Sequence, residues 1–260
     1  MRIALTGGAT GIGAEVVTKL KAQGHEICAF DIQDPGPQVD QWIQTDLSDP
    51  MSIDAALAAA KGPFDGLINN AGLPPRDQAG MAQRVLQVNY IGLCQFLDGM
   101  LDHLSPGASI VNTASRAGAF WRDNLAQVKA LMALDPANLD QFIAAENIDA
   151  TRAYHLSKEA VIVMTMARTQ EMIARGLRMN SVSPAAVSTD ILDDFIAAFG
   201  ERVAKNIARA GRAGLPQEIA DVIVYLVSPE SAWIKGQDLV IDGGMSAMAA
   251  TDQLQLNDSA

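Results

Sequence analysis

In the segment Tyr154-His155-Leu156-Ser157-Lys158, a phenol and an ammonium group stand four positions apart. On a helix such residues share a face. A cation beside a phenol favours the phenolate and lowers a pKa that is otherwise about 10. That would make Tyr154 a usable general acid or base near neutral pH. The same spacing also occurs on ordinary solvated helices, so the pair alone does not define a site.

A second chemical feature lies near the N-terminus. Residues 6–13 read Thr-Gly-Gly-Ala-Thr-Gly-Ile-Gly and join a short apolar run to a helical pattern. Gly7 permits a tight turn, and Gly11 lets backbone approach a pyrophosphate at the positive end of the helix. Gly13 lets helix and strand pack closely, and Thr10 and Ile12 complete the loop. Asp31 ends the next apolar run, about 20 residues further on. A carboxylate there accepts hydrogen bonds from both adenosine ribose hydroxyls and repels a 2′-phosphate. Neither Thr10 nor Ile32 supplies a cation to reverse that preference, so these residues favour NAD over NADP. The alternative for Asp31 is a plain turn residue.

The elements that would position these groups follow from periodicity. Strands are expected at Ile3–Leu5, Glu26–Phe30, Trp42–Gln44, Gly66–Asn69, Ser109–Asn112, Leu177–Val182 and Gln237–Ile241. Helices are expected at residues 12–23, 51–61 and 216–227, and one long helix from about Met81 to Leu104. Strands alternating with helices predict right-handed crossovers and a parallel sheet. The reading is an α/β fold, a doubly wound parallel sheet of Rossmann type, in one domain spanning residues 1–260. Residues 122–150 break the rhythm. Leu125, Val128 and Met132 keep a helical spacing, and Asp135-Pro136 reads as a cap followed by a first-turn proline. Leu139, Phe142, Ile143 and Glu146 continue the pattern, so a helical insertion in two pieces is expected. Residues 245–260 read as a C-terminal tail.

Together these motifs resemble the short-chain dehydrogenase/reductase family. The resemblance is carried by the glycine loop, Asn69-Asn70-Ala71-Gly72, Asn89 in Val88-Asn89-Tyr90, Ser115 and Tyr154…Lys158, in that order. It runs from Ile3 to about Met248. The insertion and the ending Val240-Ile241-Asp242-Gly243-Gly244 are most similar to the 3α-hydroxysteroid dehydrogenase/carbonyl reductase group. The resemblance implies Tyr154 as acid/base, with Lys158 binding the nicotinamide ribose and lowering the Tyr154 pKa. It implies that Ser115 bonds the substrate oxygen and that Asn89 holds a water in a proton relay. Asp46 and Leu47 would flank the adenine, and Asn70, Ala71 and Gly72 would line the adenosine and ribose path. Val187 and Thr189 would bind the carboxamide. Two departures stand out: Pro184-Ala185 where the family usually has Pro-Gly, and an unusually long segment between Ser115 and Tyr154.

The activity implied is NAD-dependent interconversion of a secondary alcohol and its ketone, on a 3α-hydroxysteroid or other apolar carbonyl compound. Oxidation of an aryl or other primary alcohol uses the same residues. A non-catalytic NAD sensor would be expected to have lost Tyr154, Lys158 or Ser115. In the family, the Asn89 and Tyr154 helices pair with a neighbour's, and the last strand with its preceding helix forms a second interface. The insertion should obstruct the first, leaving a homodimer through the second; a tetramer remains if the insertion covers the active-site mouth instead.

Composition sets outer limits. Nineteen basic and 30 acidic residues give a net charge of −11 and a pI near 4.6. That excludes a general nucleic-acid binder and docking on an anionic membrane. The partner expected is a small alcohol or ketone. No apolar run approaches the ~20 residues of a membrane span, and a cytoplasmic protein is expected. Cys28 and Cys94 imply no disulfide framework and read as inert thiols. His25, His103 and His155 have no ligand spacing, so no metal is expected, and His155 reads as structural, pointing away from the site. Arg116 and Trp121 could wall a pocket or anchor the insertion. Met245 and Met248 could cover an apolar substrate or belong to a loose tail. Asp193-Asp194 reads as solvated.

Overall fold

The computed structural model describes residues 1–256, all with their side chains except Arg202. Seven strands form one parallel sheet: β1 (Arg2–Thr6), β2 (Glu26–Asp31), β3 (Gln41–Gln44), β4 (Phe64–Asn69), β5 (Leu104–Thr113), β6 (Arg178–Pro184) and β7 (Asp238–Ile241). Their order is β3-β2-β1-β4-β5-β6-β7. The apolar runs form the strands because a parallel sheet covered on both faces needs apolar residues on both. Ile3, Leu5, Ile27, Ile68, Val111 and Val182 enter one core, while Ala4, Cys28, Phe30, Leu67, Ile110 and Met179 enter the other. The order reverses between β1 and β4, which pair from Ile3↔Gly66 to Thr6↔Asn69. A crevice therefore opens beyond the C-terminal ends of these two strands.

The helices are α1 (Gly11–Ala22), α2 (Pro50–Ala59), α3 (Met81–Leu86), α4 (Leu93–Met100), α5 (Leu125–Met132), α6 (Leu139–Ala145), α7 (Ala150–Ala167), α8 (Thr169–Ala174), α9 (Leu192–Phe199), α10 (Glu201–Ala210), α11 (Pro216–Val227) and α12 (Met245–Gln253). Helices α1 and α11 cover one face through Val16, Leu20, Ile219 and Ile223. Residues of α2, α4 and α7, among them Ile53, Phe96 and Val161, cover the other. The long helix expected from Met81 to Leu104 is interrupted. A π-helical turn, Gln87–Gly92, separates α3 from α4, and the chain turns to strand at Leu104, which pairs with Phe64. At Gly92 a Cβ would lie 2.0 Å from the Leu47 carbonyl oxygen, so this turn meets the loop after β3 too closely for a side chain.

Residues 122–150 hold the two helical pieces expected, α5 and α6, joined through the turn Pro136–Asn138. The Asp135 carboxylate accepts from the Ala137 amide at 3.0 Å, as its position before a proline predicts. The pieces bury Val128, Leu131 and Leu139 against the outer side of α3 and α7. A polar clamp fixes the register. Arg152 pairs with Glu159 at 2.7 Å, and Glu159 is fully enclosed. Asn124 donates to Glu159 at 2.7 Å, and Gln127 accepts from Arg152 at 2.8 Å.

Residues 184–210, for which periodicity gave no helix, hold α9 and α10, and the tail begins with α12. Residues 257–260 of that tail lie outside the described residues. Gly200, with φ of 65°, breaks α9 from α10 and lets them turn back on each other. Among the described residues, no helix is long and apolar enough to cross a membrane.

Candidate active site

A cavity of about 380 Å³ opens at the crevice and runs from the glycine loop to the face of α9. Its floor is Gly7, Thr10, Gly11 and Ile12, its flank Asn70, Ala71 and Gly72, and its far end Ser115, Tyr154 and Lys158. Val187 and Thr189, in the segment after β6, close over it.

The glycine loop is tight for the reasons its sequence implies. Gly7 and Gly11 have φ of 73° and 56°, which side chains disfavour. A Cβ at Gly13 would lie 1.8 Å from the Gly7 carbonyl oxygen, so α1 packs directly on the loop. Gly13 thus shapes the cradle from behind and does not line it. Thr189 faces Gly11 from above, with its Cγ2 3.4 Å from where a Cβ would stand. The result is a backbone cradle at the start of a helix, open to a ligand's phosphates.

Four candidates, Asp31, Asp46, Leu47 and Asn89, are not among the residues lining the cavity. Asp31 sits at the C-terminal end of β2, and its carboxylate accepts from the Ala9 amide at 2.9 Å and the Gln33 amide at 3.0 Å. It is therefore held against the glycine loop. Asp46 is exposed, with Oδ1 bonded to the Ser48 amide and hydroxyl at 2.8 Å and 2.6 Å. The Leu47 side chain is buried in the core, so only its backbone can face a ligand. The Asn89 side-chain amide accepts from the Leu73 N–H at 2.7 Å and donates to the Leu73 carbonyl at 3.0 Å. The side chain braces the loop after Gly72, and its Nδ2 also lies 3.5 Å from the Ser157 hydroxyl.

The far end collects the reactive groups. Tyr154 and Lys158 share the inner face of α7, as their spacing requires, and Ser115 reaches them from the end of β5. Lys158 Nζ donates to the Thr113 carbonyl at 2.8 Å and lies 5.8 Å from the Tyr154 ring centre. Burial pushes Lys158 down to about 8. Burial likewise pushes Tyr154 up to about 12, against a downward pull from its hydrogen bond with Ser115. Without a bound dinucleotide the direction is opposite to the one expected. In the protein alone desolvation of the phenolate outweighs the neighbouring groups, and Tyr154 is a neutral phenol. Ala185 needs no glycine: it is not among the residues with positive φ, and its amide donates to the Ile241 carbonyl at 3.1 Å.

The remaining walls were only partly legible. Arg116 lines the cavity and is also anchored, its Nε 3.2 Å from Asp242 and 2.9 Å from Ser246. Trp121 packs on the core instead, anchoring the start of the insertion. Met245 lines the cavity, and Met248 is not among the lining residues. His155 also lines it, contrary to expectation. Phe195, Phe199 and Val203 face it from α9 and α10. Their spacing of four is a helical signal that the sequence reading left unused. Asp194 is paired with Arg76 at 2.9 Å rather than simply solvated, tying α9 to the loop after β4.

Comparison with known proteins agrees with this geometry. Residues 2–127 match the short chain dehydrogenase model and residues 137–246 the enoyl-(acyl carrier protein) reductase model. The chain is 35% identical to coniferyl-alcohol dehydrogenase of Pseudomonas sp. (strain HR199 / DSM 7063), over 95% of this chain and 96% of that one. It is 33% identical to 3-alpha-hydroxysteroid dehydrogenase/carbonyl reductase of Comamonas testosteroni, over 96% and 98%. The crystal structure of the 3-alpha-hydroxysteroid dehydrogenase from Pseudomonas sp. B-0831 complexed with NADH superposes with a TM-score of 0.84 at 32% identity, covering 96% of this chain and 98% of that one. The chain belongs to the short-chain dehydrogenase/reductase family and is an oxidoreductase.

The buried ammonium makes a prediction about stability. Folding depresses the Lys158 pKa from 10.5 to about 8. Between those values the unfolded chain carries a proton that the folded protein has lost, so stability rises with pH across the window. Lys158→Met removes that rise. Urea unfolding at pH 7.5, 9 and 10.5 should show wild type gaining about 3 kcal/mol relative to the variant. Parallel curves would show that the charge is not desolvated.

Proposed function

We propose that this protein interconverts a secondary alcohol and its ketone on an apolar substrate, using a nicotinamide dinucleotide and preferring NAD to NADP. The observation that carries this reading is the gathering of Ser115, Tyr154 and Lys158 at the end of a cavity whose other end is the glycine cradle. The cradle fits a dinucleotide: Gly7 and Gly11 take conformations that side chains avoid, and Gly13 leaves no room for a Cβ. The dinucleotide, when bound, supplies the hydride acceptor or donor.

On this reading the backbone at Gly11 and Ile12 receives the pyrophosphate, and Asp31 the adenosine ribose hydroxyls. Asp46 and the Leu47 backbone stand beside the adenine. Asn70, Ala71, Gly72 and Lys158 line the path toward the nicotinamide, and Val187 and Thr189 hold its carboxamide. Ser115 bonds the substrate oxygen. Tyr154, as a neutral phenol, gives its proton to a ketone oxygen in reduction and takes it back in oxidation. Lys158 supplies positive charge beside the phenol and so favours the proton's departure. The cavity wall excludes water around the reacting oxygen. Asn89 acts by fixing the loop at Leu73. A second reading, oxidation of an aryl or other primary alcohol, uses the same groups and is favoured by the aromatic side chains of α9.

Tyr154→Phe should lower turnover by at least about 100-fold while NADH binding, read by fluorescence, stays near wild type. Activity above about a tenth of wild type would remove Tyr154 from the mechanism. Asp31→Ala should raise the KM for NAD about tenfold or more and shift preference toward NADP. An unchanged preference ratio would show that Asp31 does not touch the ribose.

The reading extends to assembly and location. The insertion covers the outer face of α7, whereas Tyr225, Trp233 and Val240 near α11 and β7 remain exposed. A homodimer with two-fold symmetry through α11 and β7 follows. Light scattering after size exclusion should give a dimer, and a tetramer would overturn the blocking role of residues 122–150. A cytoplasmic location is part of the same reading, and Cys28 and Cys94 form no disulfide.

A further inference from the structure

One wall of the cavity is built from four rings on α7 and α9. The Tyr154 and Phe195 centroids lie 5.2 Å apart, edge to face. Phe195 and Phe199 are parallel within 7° at 6.1 Å. Phe199 lies 6.1 Å from Tyr154 and 5.1 Å from the His155 imidazole. His155 therefore follows Tyr154 in the chain, yet the Phe199 ring packs against both. His155 lines the same cavity as Tyr154.

The chemistry of the imidazole is defined by one of its nitrogens. His155 Nδ1 lies 2.8 Å from the Ala117 carbonyl oxygen. A carbonyl only accepts, so in the neutral ring Nδ1 carries the proton and Nε2 presents a lone pair. Among the described residues no protein group is hydrogen-bonded to Nε2. The mechanism proposed above makes no use of it. In a wall of phenyl rings, a lone pair offered to the cavity would favour a ligand that brings a donor there. It disfavours a carboxylate, a carbonyl or an ether, each of which would meet it with another lone pair.

We propose that His155 selects the substrate, its Nε2 accepting a hydrogen bond from a ring hydroxyl. The ligand class is a planar aryl alcohol, or its ketone, with a phenolic group across the ring from the reacting carbon. The ring lies along the parallel faces of Phe195 and Phe199. This rests on the reading of the cavity as an alcohol–ketone site, and it names the substrate within that reading. An unmatched acceptor in an enclosed site discriminates strongly, because a ligand lacking the donor leaves it desolvated and unpaired. Asn206, which lines the cavity from α10, offers both a donor and an acceptor and so cannot impose the same choice.

The test uses 4-hydroxyacetophenone and its methyl ether, 4-methoxyacetophenone. Each is titrated into the NADH-loaded protein, following cofactor fluorescence, and each is then assayed as a substrate for reduction. Wild type should bind the hydroxy ketone about tenfold more tightly. His155→Phe keeps a ring against Phe199 and should bring the ratio near one; Asn206→Leu should leave it unchanged. General damage to the fold moves both ketones together and not their ratio, and the wild-type comparison needs no variant. Equal binding by wild type, no binding of either ketone, a ratio that survives in His155→Phe, or one abolished by Asn206→Leu would each overturn the proposal. Preferential binding of the hydroxy ketone without its reduction would sustain the assignment of His155 while sinking the alcohol–ketone reading.

Discussion

Lys158 carries its ammonium group into the interior and places it 2.8 Å from the Thr113 carbonyl, at the C-terminal end of β5. Much of the site's geometry depends on that contact. It joins α7 to the sheet at the crevice edge and so sets where Tyr154 stands. Burial lowers the lysine to about 8, and burial outweighing the pull of Ser115 leaves the tyrosine at about 12. The protein without ligand thus holds two groups whose charged forms are both disfavoured, next to a cavity that could accept a counter-charge or a hydrogen-bonding partner.

Behind that contact a buried polar ladder holds sheet and helix in register. Asn69 on β4 donates to Asn112 on β5 at 2.9 Å, and Asn112 donates to Thr165 on α7 at 3.0 Å. Thr165 returns its proton to the Val161 carbonyl at 2.8 Å. Fully buried amides are costly unless paired, so such a chain favours one alignment over its neighbours. On the outer side of α7 the Arg152–Glu159–Asn124 clamp does the same for the insertion. Opposite faces of a single helix therefore anchor it to the sheet and to the added segment.

The cavity's outer wall is held differently. Ion pairs at its rim, Arg76 with Asp194 and Arg209 with Asp252, tie α9 and α10 to the loop after β4 and to α12. These are exposed, and pairs of this kind contribute little to stability. Arg116 with Asp242 is more enclosed. The contrast separates a rigid floor of backbone and buried amides from a cover held mainly by apolar contact. The proposed substrate preference falls where the two meet, with Phe195 and Phe199 on the cover and His155 on α7.

The amino-acid sequence by itself determined the parallel sheet, the glycine cradle and the pairing of Tyr154 with Lys158. Each is a local property: alternating apolar runs, glycines at positions needing positive φ, and a spacing of four on a helix. Residues 122–150 were legible for the same reason, since Asp135-Pro136 and the apolar spacing act within a turn or two. Tertiary structure decided what depends on distant partners. The break in the helix after Leu86 comes with the close approach of the Leu47 carbonyl to Gly92. The commitment of Asn89 to Leu73, the burial that reverses the expected direction of the Tyr154 pKa, and the turning of His155 into the cavity arise from packing between elements far apart in the chain. No spacing within one segment encodes such contacts, because they exist only once the sheet has brought its loops to one edge.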